Sequence, residues 1–142
     1  MAARRTVRVI LIPMMKLEFI SEDVSWSRGP LVRLFDYERA DALALREACT
    51  SLAEDRVSEF PLHAQPWIQP IDGCRMILLS SQANRGVRMP TAGEPLVMEY
   101  AAQGWLEIAD KIVPLDNSQG DGFNWLTEDG DVAVLVSTDG SW

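Results

Sequence analysis

The chain has 142 residues, 47% of them hydrophobic and 24% charged, with a formal net charge of −8. These proportions fit one globular domain whose core needs no disulfide staples, and they argue against extensive disorder. The acidic excess argues against direct binding of nucleic acid or an anionic membrane, and two cysteines, Cys49 and Cys74, are too few for a secreted disulfide framework.

The opening stretch MAARRTVRVILIPMM has the arginines and apolar run of a signal peptide. Arg8 and Pro13 interrupt that run, and no small-residue cleavage site follows. No stretch reaches the ~20 apolar residues of a membrane span. The expectation is therefore a cytoplasmic protein.

Residues 6–20 are β-branched and apolar, split by Pro13, and Leu17 and Phe19 alternate with Lys16 and Glu18 as in a half-buried strand. Residues 21–29 form a polar loop carrying Trp26. PLVRLFDY, at 30–37, predicts a second strand, and Asp36 offers an N-cap for a helix running to about Leu52. Ala42, Leu45, Cys49 and Leu52 form its apolar stripe. Three prolines over 58–73 leave only short extended pieces, near 60–63 and 67–68. CRMILLSSQ predicts a strand at 74–82, followed by an exposed loop at 83–93.

EPLVMEYA, at 94–101, predicts another strand. The helix after it carries Trp105, Ile108, Ala109 and Ile112 on one face and stops at Pro114. FNWLT and DVAVLVS close the chain as two strands, with Asp129-Gly130 as the hairpin signal. The order of elements repeats: Pro-Leu-Val recurs at 30 and 95, Phe60 answers Phe123, and Gly73 answers Gly130. The reading is a single α+β domain over 1–142, with candidate repeat units at 30–82 and 94–142. Two helices pack on a single mostly antiparallel or mixed sheet of about six to eight strands.

Most of the familiar chemistries lack their residues. There is no glycine-rich phosphate loop and no Gly-x-Ser-x-Gly elbow. His63, the one histidine, would need Cys49 as nucleophile, but a cysteine on a helix's apolar stripe is an inert packed thiol. One histidine and two distant cysteines do not make a zinc site, and residues 117–128 hold too few carboxylates for a calcium loop. No metal and no cofactor are expected, and the protein is read as no enzyme.

Charge placement says more. Residues 89–142 hold ten acidic residues against Lys111 alone, whereas residues 1–88 are nearly balanced. An anionic segment of this kind speeds encounter with cationic surfaces. The expected contact is with a basic protein partner through Asp116, Asp121, Glu128, Asp129, Asp131, Asp139 and the terminal Trp142. The alternative is a small-molecule pocket near His63, Trp67 and Arg75. A third arrangement is a homo-oligomer in which Trp142 docks into a second copy.

DGCRMILLS, GFNWL and the final DGDVAVLVSTDGSW resemble an uncharacterised family of small bacterial proteins that end in a strand followed by Ser-x-Asp-Gly-x-Trp. The resemblance covers about the last three quarters of the chain, implies a bacterial cytoplasmic origin, and carries no activity or ligand with it. By analogy, small acidic proteins act as inhibitors, immunity factors or adaptors.

Overall fold

The computed structural model describes residues 15–21, 30–116 and 123–137. Trp26 lies outside them. In chain order the described elements are β1 (Met15–Ile20), β2 (Leu31–Phe35), α1 (Arg39–Ala53), β3 (Glu59–Pro61), β4 (Ile68–Pro70), β5 (Met76–Ser80), β6 (Gly86–Arg88), β7 (Leu96–Tyr100), α2 (Ala102–Asp116), β8 (Phe123–Thr127) and β9 (Ala133–Ser137). The described residues form an α+β fold with two α-helices, as the sequence predicts. The single sheet is corrected: the strands form two mixed sheets, ordered β4-β1-β2-β9-β8 and β3-β5-β7-β6.

The division has a physical cause. Each sheet is centred on a parallel pair, β2 with β9 in one and β5 with β7 in the other. A parallel partner must come from a distant part of the chain, because a short turn can only reverse direction. β9 is buried on both faces, since Val134 and Val136 point into the core while Leu135, on the opposite face, is also fully buried. That is why its sequence is a continuous apolar run rather than an alternating one.

The two halves of the chain exchange strands symmetrically. β1 and β2 pair antiparallel, as do β6 and β7. β3 pairs antiparallel with β5, and β8 with β9. Each half places its leading pair in one sheet and its trailing pair in the other, with a helix between. Registers match as well: Leu31 lies opposite Ala133 and Leu96 opposite Met76, each the first residue of its strand. Phe60 opposite Leu78 corresponds to Trp125 opposite Leu135, so Phe60 answers Trp125 and not Phe123. The helices correspond residue for residue, with Ala42, Leu45, Cys49 and Leu52 matching Trp105, Ile108, Ile112 and Leu115, all buried. The correspondence begins one strand earlier than the sequence suggests, because β6 hides inside the expected loop at 83–93.

One core joins both sheets and both helices. In β1, Met15 and Leu17 are fully buried and alternate with half-exposed Lys16 and Glu18. α1 starts at Arg39 behind a reciprocal cap in which the Asp41 carboxylate accepts the Glu38 N–H at 3.0 Å. Asp36 is not the cap. Its φ of 57° places it in a left-handed turn, and its carboxylate holds Lys16 Nζ at 2.9 Å. α2 continues past Pro114 to Asp116. Pro114 is exposed and sits in the last turn, where its missing N–H costs the helix a single hydrogen bond.

Candidate functional site

The acidic third is built around α2. Trp105, Ile108, Ala109, Ile112 and Leu115 bury one side of the helix, which leaves Leu106, Glu107, Asp110, Lys111 and Val113 exposed. Two hydrogen bonds lay β8 alongside it. Lys111 Nζ donates to the Leu126 carbonyl at 3.2 Å, and Asn124 Nδ2 donates to the Lys111 carbonyl at 3.1 Å. At the helix's other end, the Tyr100 hydroxyl is hydrogen-bonded to Thr127 Oγ1 and donates to Asp129 Oδ2 at 3.0 Å. The turn after β8 is thereby fixed near the first turn of α2.

The same turn touches the other sheet. Val132 N–H donates to the Val87 carbonyl at 3.1 Å, and Met89 N–H donates to Asp131 Oδ2 at 3.2 Å. Gly130 belongs to this contact. Its backbone is not left-handed; instead, a Cβ placed on it would lie 2.2 Å from the Val87 carbonyl oxygen. Asp129-Gly130 thus signals a turn in the sequence for a reason other than the usual hairpin geometry: the glycine lets two backbones touch.

These contacts divide the carboxylates into two groups. Asp129 and Asp131 are exposed, but each accepts a hydrogen bond from elsewhere in the fold. Glu99, nearly buried, is held by Arg88 at 2.9 Å and Arg85 at 3.7 Å. Glu94, Glu107, Asp110 and Glu128 are exposed and carry no ion pair among the described residues. Of the residues expected at a partner surface, Glu128, Asp129 and Asp131 are all exposed, and Asp129 and Asp131 also accept hydrogen bonds that hold the turn. Asp121, Asp139 and Trp142 lie outside the described residues, as does the side chain of Asp116. Glu107 and Asp110 were absent from that set. Their position opposite the apolar stripe of the predicted helix is the signal that finds them.

The residues of the alternative pocket have separate tasks. His63 sits in a single 3-10 turn, Leu62–Ala64, where Nδ1 accepts the Met76 N–H at 3.1 Å and secures the start of β5. Trp67 packs half-buried against the core, and its carbonyl accepts the Met15 N–H at 3.1 Å. Arg75 donates to the Gly93 carbonyl at 2.6 Å. A surface cleft of about 160 Å³, bounded by Phe19, Cys74, Arg75, Gly93 and Glu94, includes Arg75 but neither His63 nor Trp67. It falls short of the ~300–1,000 Å³ usual for small-molecule sites. Among the described residues no group of three His, Cys, Asp or Glu side chains is placed to hold a metal ion, and no helix is long and apolar enough to cross a membrane.

Both thiols are quiet. Burial pushes the Cys49 thiol up to about 12, and burial with help from Glu18 pushes Cys74 up to about 11. Burial likewise raises Tyr100 to about 12, with the Asp129 carboxylate adding to the effect. Each group is favoured in its protonated form by folding, so its stabilising contribution is complete below its unfolded value and declines as pH rises toward the folded one. Stability should therefore hold up to about pH 9 and fall between about 9 and 12. Chemical denaturation followed across that range checks this. At pH 8, iodoacetamide should label Cys74 slowly and Cys49 only after unfolding, as peptide mapping by mass spectrometry would report.

No family model, curated protein or solved structure shows significant similarity to this chain.

Proposed function

We propose that this protein is an acidic, non-enzymatic binding module of the inhibitor, immunity or adaptor type, meeting a basic protein surface through its C-terminal third. We further propose that the chain comprises two copies of one ββαββ unit. The matched registers of the two parallel strand pairs and the matched buried stripes of the helices support that second reading.

One observation carries the functional reading. After Arg88 the only cationic side chain is Lys111, and its ammonium donates to the Leu126 carbonyl. Glu94, Glu107, Asp110 and Glu128 stay exposed without a counter-ion among the described residues. Their field is therefore available to an incoming cationic surface, and it would repel phosphate backbones.

The test uses a fluorescent oligoarginine peptide and the full chain. Affinity should fall at least about tenfold between roughly 50 and 300 mM salt, where the screening length shortens. Glu94→Gln combined with Glu128→Gln removes two exposed charges outside α2 and should weaken binding about threefold at low salt. Affinity indifferent to salt would refute the reading.

A further inference from the structure

Resting on the acidic-module reading, we infer that the outward strip of α2 docks a basic amphipathic helix of a protein partner. The strip is Leu106, Asp110 and Val113, with Glu107 beside it. Leu106 is 40% exposed and Val113 is 39% exposed, which is unusual for large apolar side chains in this fold. They are seven residues apart, two helical turns or about 10.5 Å, with Asp110 between them. Aliphatic contacts at that repeat, separated by a carboxylate, complement a helix with apolar residues seven apart and Lys or Arg between.

The equivalent strip on α1 shows what sets α2 apart. Leu43 occupies the place of Leu106 and is 36% exposed. Glu47 occupies the place of Asp110, but Arg56 Nη2 holds its carboxylate at 3.1 Å. Thr50 stands where α2 has Val113. α1 therefore repeats the exposed leucine with its charge neutralised and its second apolar contact missing. On α2, Glu107 and Asp110 have no such partner among the described residues. Charge complementarity selects α2 and a cationic occupant.

The two helices provide a matched experiment. A fluorescent amphipathic Leu/Lys peptide is titrated with the full chain and with four single variants. Leu106→Ser and Asp110→Asn should each weaken binding about three- to tenfold. Leu43→Ser and Glu47→Gln should change it less than about twofold. All four positions are exposed, and thermal melts matching the parent confirm that folding is intact. Salt-sensitive binding that ignores both α2 substitutions, or that responds equally to the α1 pair, overturns this inference and leaves the acidic module standing. Absence of salt-sensitive binding overturns both. If the parent chain self-associates in sedimentation and Leu106→Ser makes it monomeric, the strip belongs to a second copy and the proposed occupant is wrong.

Discussion

Replacing Trp105 with alanine should destabilise the fold more than any surface substitution. The indole is fully buried, its Nε1–H donates to the Leu79 carbonyl at 3.1 Å, and its ring meets Tyr100 edge-on at 5.5 Å. It also borders a small apolar gap in the core shared with Leu34, Met98 and Leu126. Truncation to alanine enlarges that gap from a site already imperfectly filled. Buried Trp→Ala changes cost about 3–5 kcal/mol. Domains of this size are stable by only about 5–15 kcal/mol, so the loss is roughly a fifth of the total or more. Trp105→Phe is the informative companion. It keeps much of the packing and loses the donor, and should cost about 1–3 kcal/mol. Urea denaturation followed by far-UV circular dichroism measures both. A Trp105→Ala protein within about 1 kcal/mol of the parent would contradict the packing described.

Gly130→Ala should be comparably damaging for a different reason. The added methyl would lie 2.2 Å from the Val87 carbonyl oxygen and 2.6 Å from the Val87 nitrogen. Both are backbone atoms of β6, so no side chain can swing aside. Relief requires β6 to separate from the β8–β9 turn, with loss of the bond between Val132 and Val87 and of the bond between Met89 and Asp131. The expected cost is at least about 3 kcal/mol. Gly93→Ala is the control. Gly93 also has a positive φ, 82°, but open space surrounds it, so the substitution adds left-handed strain of about 1–2 kcal/mol and nothing else. Thermal melts that place the two variants side by side would show the steric account to be mistaken.

What could be read from the sequence was local. The buried stripes of both helices, the alternation in β1 and the apolar runs of β5 and β9 each follow from neighbours within a few residues. The partition into two sheets does not, because Leu31 meets Ala133 and Met76 meets Leu96 across long separations that no short pattern encodes. β6 escaped notice for a related reason. Three residues, one of them glycine, have no detectable periodicity until β7 supplies the ladder. Asp36 looked like a cap by residue type, whereas the chain turns once more and uses Glu38 and Asp41.

The functional surface was legible in outline only. Counting charges located the anionic third, but not which carboxylates the fold itself would consume. Glu99 is buried against Arg85 and Arg88, while Asp129 and Asp131 stay exposed but accept hydrogen bonds from Tyr100 and the Met89 N–H, both contributed from well outside their own turn. His63, Trp67 and Arg75 were the residues of the alternative small-molecule pocket. Backbone groups of Met76, Met15 and Gly93 instead give each a separate partner.

The strand exchange has a consequence for synthesis. β2 is made early, yet its inner neighbour is β9, on the order of a hundred residues downstream. While the ribosome is still translating the middle of the message, the Val32 and Leu34 edge has no mate and resembles the sticky intermediates that chaperones guard. Maturation is thus postponed until β9 emerges, and premature termination anywhere before β9 would leave an aggregation-prone fragment rather than a smaller working protein.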